Sequence, residues 1–100
     1  MYSLHWRENS LILSKNGDDV MNLTQAIRDR IRFLCDKNRI SINKLATMSA
    51  LPPSSIKNIL YGKSKNPKLM TIKMLCDGLG ISLYDFFDED SFHKLDKEEN

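Results

Sequence analysis

The chain has 100 residues and a mass of 11.6 kDa, which is the size of one small domain and excludes a two-domain enzyme. Hydrophobic residues make up 41% and charged residues 28% of the sequence, as in an ordinary globular protein with a core. No apolar run in residues 1–20 is long enough for a signal peptide or a membrane-spanning helix. With no export signal and two cysteines, Cys35 and Cys76, we expect buried, reduced thiols in a cytoplasmic protein.

The net charge of +2 conceals an uneven distribution along the chain. Residues 1–36 hold five basic and five acidic side chains, which cancel. Residues 37–73 hold eight basic side chains and no acidic one, and residues 77–100 hold eight acidic side chains against two lysines. The acid-free stretch predicts a strong positive potential, which suits a polyanionic partner. The alternative is that these basic side chains form an ordinary solvated face, whose charge the acidic tail balances.

Composition and texture divide the chain into three zones. Residues 1–20 are polar and irregular, and we interpret them as an N-terminal extension or arm. Residues 21–87 have the apolar spacing of one compact domain, and residues 88–100 are predicted to be an acidic, frayed tail. Within the compact domain the pattern predicts five helices and no strands.

Capping signals place the first two helices. Asn22 is the expected N-cap of helix 1, with Gln25 completing a capping box, and the helix should extend to residue 37 or 38. Ser41 is the expected N-cap of a short helix 2, which cannot extend past Leu51 because Pro52 follows. The inner face of helix 2 is predicted to be Leu45, Ala46 and Met48.

Helix 3 is predicted to begin at Pro53, where a missing N–H costs nothing, and to end at Gly62 as its C′ residue. Helix 4 follows a basic loop. After it, Ser82 and Asp85 form a capping box for helix 5. The side chains expected to face the core from helices 3 and 4 are Ile56, Ile59, Leu60, Leu69, Ile72, Met74, Leu75, Cys76 and Leu79.

Two short helices joined by a tight turn form the helix-turn-helix plan. Residues 41–46 (Ser-Ile-Asn-Lys-Leu-Ala) and 54–63 (Ser-Ser-Ile-Lys-Asn-Ile-Leu-Tyr-Gly-Lys) resemble the Cro and phage-repressor type helix-turn-helix, also called XRE-like. Residues 66–87 resemble the fourth and fifth helices of that family. The resemblance covers about residues 22–87. It implies an all-α, five-helix, lambda-repressor-like DNA-binding domain.

The major groove of B-DNA is about 12 Å wide and admits one α-helix. Helix 3 must therefore project from the body, with helix 2 crossing behind it. By resemblance, Pro53, Ser54, Lys57 and Asn58 are the residues that reach base edges, and we add Ser55 to them. Lys57 suits guanine and Asn58 suits adenine, each discriminating by about 1–3 kcal/mol. For the two serines, a simple preference for helix starts is an equal alternative.

Phosphate contacts position such a domain without reading sequence. Polar and basic residues flank helix 3 in the expected fold. The candidates for phosphate contacts are Ser41, Asn43, Lys44, Tyr61, Lys63, Lys65 and Lys68.

Three residues depart from the family pattern. Ile42 stands where the family usually has a glutamine that anchors helix 2 to DNA. Ala50 replaces the turn glycine, and in a left-handed conformation alanine costs roughly 1 kcal/mol or more. Pro52 and Pro53 replace the usual polar start of helix 3. These departures leave the fold expectation intact and put the family's standard base contacts in question.

No catalytic set, metal site or cofactor site is predicted. His5 and His93 are single histidines near opposite ends, without the spacing of metal ligands. Four glycines leave little material for a phosphate-binding loop, and no serine has a neighbouring base that would make it a nucleophile.

The sequence therefore predicts a transcriptional regulator, most simply a repressor, that binds a double-stranded DNA operator as a homodimer. The dimer contact would involve residues 1–20 or an aromatic patch of Tyr84, Phe86, Phe87 and Phe92, although such aromatic residues are more often core. One alternative is an antitoxin-like module that binds a protein partner through residues 1–20 or the acidic tail. Another is a non-specific nucleoid binder.

Overall fold

The computed structural model describes residues 22–62 and 66–95, and all regular structure within these residues is helical. The helices are α1 (Leu23–Asn38), α2 (Ile42–Met48), α3 (Pro53–Tyr61), α4 (Leu69–Leu79), α5 (Leu83–Phe87) and α6 (Asp90–His93). The all-α prediction is confirmed for this part of the chain. Helices α1 to α5 are the five expected ones, and α6 is additional. The predicted extension over residues 1–20 lies outside the described residues. None of the helices within residues 22–62 and 66–95 is long and apolar enough to cross a membrane.

The predicted N-caps form at α1 and α2. Asn22 accepts a hydrogen bond from the backbone N–H of Gln25 at 2.8 Å, and the Ser41 hydroxyl accepts one from the N–H of Lys44 at 3.0 Å. The side chain of Gln25 donates to Asp29 at 2.9 Å instead of reaching back to the cap. The predicted capping box at α1 is therefore only half made.

Helix α5 carries the complete capping box that its sequence predicts. The Ser82 hydroxyl accepts from the N–H of Asp85 at 2.9 Å, and the Asp85 carboxylate accepts from the N–H of Ser82 at 3.4 Å. A five-residue helix gains little from propensity alone, so this reciprocal cap and the burial of Phe86 determine where α5 lies.

One apolar core joins α1 to α5. Its buried members are Ile27, Ile31, Leu34, Cys35, Leu45, Ala46, Ile56, Ile59, Leu60, Ile72, Leu75, Cys76 and Phe86. Two residues predicted to face inward are on the surface: Met48 is 39% exposed and Leu69 is 64% exposed. Each lies at one end of its helix.

Three helices end in the same left-handed motif, although only one of them ends in glycine. Arg39, Ala50 and Gly80 have φ values of 55°, 55° and 73°. In each case the N–H of the left-handed residue and the next N–H bond back to carbonyls of the last helical turn, which is the Schellman arrangement. Ala50, which replaces the turn glycine of the family, adopts the left-handed conformation. It makes the turn between α2 and α3 a strained one.

The acidic tail is folded as far as residue 95, contrary to the prediction that it frays from Asp88. The ring of Phe92 on α6 lies 5.0 Å from that of Phe87 and 6.2 Å from that of Phe86, centroid to centroid. Asp90 is 5% exposed and pairs with Lys94, Oδ2 to Nζ 3.5 Å. The N-cap by Glu89, which accepts the N–H of Ser91 at 2.8 Å, and the aromatic packing together stabilise α6. Residues 96–100 lie outside the described residues.

Both cysteines are free and buried, as predicted. Burial raises the pKa of the Cys35 thiol, and the nearby Asp36 carboxylate adds to the shift. Burial likewise raises the pKa of the Cys76 thiol. Neither cysteine therefore has the lowered pKa of a reactive thiol.

We expect the substitution Ala50→Gly to stabilise the protein by about 0.5–1 kcal/mol. Glycine relieves the cost of a left-handed backbone, and the gain exceeds the extra freedom that glycine gives to the unfolded chain. Urea unfolding followed by circular dichroism measures the change. The control Ala46→Gly, in the interior of α2, should shift stability in the opposite direction. A loss of stability in Ala50→Gly would contradict the strain assigned to this turn.

Candidate nucleic-acid interface

Helix α3 has one buried face and one open face. Ile56, Ile59 and Leu60 are between 0 and 4% exposed and attach the helix to the core. The residues on its open side are exposed, except Ser55, which is half-buried; in order they are Pro53, Ser54, Ser55, Lys57, Asn58 and Tyr61. The five residues predicted to read bases therefore share one accessible helix, with Tyr61 at its end.

The start of α3 follows from its two prolines. Pro52 is extended, with φ −66° and ψ 143°, and Pro53 occupies the first helical turn. The N–H of Ser55 bonds to the Pro52 carbonyl at 2.9 Å, and no side chain caps this end of the helix. The fixed φ of proline thus sets where α3 begins.

Helix α2 packs against both α3 and α4, which completes the helix-turn-helix arrangement. At its start Ser41, Asn43 and Lys44 are exposed. The Ser41 oxygen accepts the N–H of Lys44, so its hydroxyl proton can be donated elsewhere. Ile42 is half-buried and packs against the core. Its side chain therefore packs inward, at the position where the family usually has a glutamine that anchors DNA.

The acid-free segment presents its charges to solvent. All of its basic residues within the described part of the chain are exposed: Lys37, Arg39, Lys44, Lys57, Lys68 and Lys73. Lys73 forms an ion pair with Asp77, one turn along α4. The predicted phosphate contacts Lys63 and Lys65 lie outside the described residues.

Two arginines of α1, whose partners the sequence does not predict, contact the end of α3. The Arg28 guanidinium donates from Nε to the Ile59 carbonyl at 2.7 Å and from Nη2 to the Gly62 carbonyl at 3.2 Å. Arg32 donates from Nη2 to the Leu60 carbonyl at 3.3 Å. Its guanidinium carbon also lies 5.5 Å from the centre of the Tyr61 ring. The four-residue spacing of the two arginines is the only sequence signal for this pair.

Gly62 ends α3 for a different reason from the one predicted. Its backbone is extended, with φ −82° and ψ −175°, rather than left-handed. A Cβ atom at this position would lie 2.4 Å from the carbonyl oxygen of Asn58. Glycine is therefore required here by the close approach of two backbone segments.

Two clefts lie away from α3. One, of about 230 Å³, is lined by Asp29, Arg30, Phe33, Glu89 and Ser91. The other, of about 340 Å³, is lined by Leu83, Tyr84, Phe87, Asp88 and His93. Within residues 22–62 and 66–95 no three His, Cys, Asp or Glu side chains are grouped as metal ligands would be.

The sequence profile of the Cro/C1-type HTH DNA-binding domain matches residues 30–89. The chain belongs to this family. This Cro/C1-type domain is also similar to the prophage Lp1 protein 11, as seen in its crystal structure, with 30% sequence identity and a TM-score of 0.66. The similarity covers 74% of the chain and 97% of the prophage protein. Curated proteins give no match.

Family membership confirms the predicted DNA-binding helix-turn-helix with its lambda-repressor-like fold.

The aromatic residues considered for a dimer contact separate into two groups in this Cro/C1-type domain. Phe86 is fully buried and Phe87 and Phe92 pack around it. Tyr84 is 74% exposed, so it is the member of the set that a partner can reach.

Proposed function

We propose that this Cro/C1-type domain is a sequence-specific transcriptional regulator that inserts α3 into the major groove of double-stranded DNA. The observation that carries the proposal is the division of α3 into a buried apolar face and an open polar face, within a segment that has eight basic residues and no acidic one. We further propose that it acts as a homodimer and a repressor in the cytoplasm. A domain that occupies the major groove of an operator excludes other proteins from that site.

We propose that Pro53, Ser54, Ser55, Lys57 and Asn58 form the base-reading set. Lys57 and Asn58 are the strongest members, because an ammonium group suits the two acceptors of guanine and a carboxamide suits adenine. Both are exposed near the middle of α3. Ser55 is half-buried, so it is the weakest member of the set.

We propose phosphate contacts for a ring of residues around α3. Its members are Ser41, Asn43, Lys44, Tyr61, Lys63, Lys65 and Lys68. Their support is the exposure of the described members and the absence of carboxylates from residues 37–73. Phosphate contacts of this kind give affinity and register, and the side chains on α3 give sequence preference.

Selection from a random double-stranded DNA library at about physiological salt tests the proposal. We expect a pseudo-palindrome whose half-sites lie about 34–36 Å apart, one helical turn, as a symmetric dimer requires. Sedimentation of the complex should show two chains per site. Binding without an enriched sequence would favour a nucleoid protein, and no binding would favour an antitoxin-like partner module; either result would refute the proposal.

The base-reading assignment predicts a local change in specificity. Lys57→Ala and Asn58→Ala should each relax the preference at one position of the half-site, at a cost of about 1–3 kcal/mol for the preferred base. Selection with each variant measures this directly. Lys73→Ala, which removes an ion-paired lysine from α4, is the control and should leave the preferred sequence unchanged. If Lys57→Ala and Asn58→Ala also leave it unchanged, the assigned readers are wrong.

The phosphate assignment predicts a change in salt dependence instead. Lys44→Ala and Lys68→Ala should weaken binding to every sequence and make the slope of log affinity against log salt shallower by about 1 each. Fluorescence anisotropy across a salt series measures the slope. The ion-paired Lys73 again supplies the control variant. An unchanged slope would remove that lysine from the phosphate contacts.

A further inference from the structure

Three arginines on α1 act as capping side chains for other helices. Arg28 and Arg32 are one turn apart and lie on the same side of α1, where they meet α3. Arg30 lies between them in sequence but about 200° around the helix from Arg28. It donates from Nε to the Phe86 carbonyl at 2.8 Å and from Nη2 to the Asp85 carbonyl at 2.7 Å, both in α5. One helix therefore caps α3 on one side and α5 on the other.

The end of α3 depends on these contacts because the last carbonyls of a helix have no partner within it. Asn58 is the exception, since its carbonyl accepts the N–H of Gly62 at 3.0 Å. The carbonyls of Ile59, Leu60 and Gly62 accept from the two arginines. The positive guanidinium groups also complement the negative end of the helix dipole. Three charge-assisted hydrogen bonds thus connect the last turn of α3 to α1.

We infer that Arg28 and Arg32 are positioning residues for DNA recognition, which set the orientation of α3 and thereby the approach of Lys57 and Asn58 to the base edges. The inference rests on the proposed function. Asn58 belongs to the very turn that the arginines hold. Arg32 also lies over the ring of Tyr61, so the same contact orients a proposed phosphate-binding side chain.

The geometry requires a guanidinium and not merely a positive charge. Arg28 uses two nitrogens of one planar group to reach carbonyls three residues apart in sequence. A lysine ammonium is a single point donor on a flexible stem and cannot hold both carbonyls in a fixed relation. Replacing arginine by lysine therefore removes the positioning while the net charge stays the same.

The test compares Arg28→Lys and Arg32→Lys with Arg30→Lys in the full chain. Arg30→Lys is a matched control, because it loses two similar bonds to α5 from the same helix and also keeps its charge. Urea unfolding should show comparable losses of stability for Arg28→Lys and Arg30→Lys. The ratio of affinity for the selected operator to affinity for random DNA should fall about fivefold to tenfold in Arg28→Lys, less in Arg32→Lys, and not at all in Arg30→Lys.

Amide hydrogen exchange without DNA gives a second readout, which does not depend on the operator. Exchange at the N–H groups of residues 58–62 should accelerate in Arg28→Lys and Arg32→Lys, and exchange in α5 should accelerate in Arg30→Lys. An unchanged affinity ratio in Arg28→Lys, or an equal fall in Arg30→Lys, would overturn the inference. Unchanged exchange in α3 would also overturn it. If the wild-type chain prefers no sequence, the proposed function fails, and the exchange result still decides whether the arginines hold α3.

Discussion

The open face of α3 is the constraint on which the rest of the structure depends. A nine-residue helix is marginal by itself in water, and a helix proposed to enter a DNA groove cannot be covered on its outer side. The stability of α3 therefore comes from its buried face and from its two ends. Ile56, Ile59 and Leu60 supply the buried contact, prolines fix the start, and the guanidinium groups of Arg28 and Arg32 satisfy the last carbonyls. Helix α1 is long because it must reach α3 and the α5–α6 end of the domain together.

The turn between α2 and α3 carries backbone strain at Ala50. Its angle is set by a left-handed residue whose N–H bonds to the carbonyl of Thr47, while the following N–H of Leu51 bonds to that of Ala46. Ala50 adopts this conformation without the freedom of glycine. The hydrogen bonds and the buried residues on either side outweigh the local strain, so α2 still packs against α3.

Sequence reasoning succeeded where the determinants are local. The caps at Asn22, Ser41 and Ser82 each involve residues three apart, and the proline break before α3 is a property of neighbouring residues. It failed where partners are distant along the chain: Arg28 reaches carbonyls 31 and 34 residues away, and α6 exists because Phe92 meets the aromatic rings of α5. The left-handed end of α1 at Arg39 had no signal in the residue type. For the site, the sequence predicted which side chains are exposed on α3 but not what holds the helix in place.

Because the proposed base-reading set is small, its specificity depends strongly on the orientation of α3. Lys57 and Asn58 are the two with a defined preference, since serine suits several bases. The usual anchor on α2 is replaced by Ile42, which packs inward and contributes nothing to register on the phosphates. In the proposed complex, register would come from Ser41, Asn43 and the surrounding lysines, because phosphate contacts position a domain on the duplex. Under this proposal, the angle at which Lys57 and Asn58 meet the groove depends on how the domain itself holds α3. The hydrogen bonds from Arg28 and Arg32 to the carbonyls of Ile59, Leu60 and Gly62 hold the end of that helix against α1.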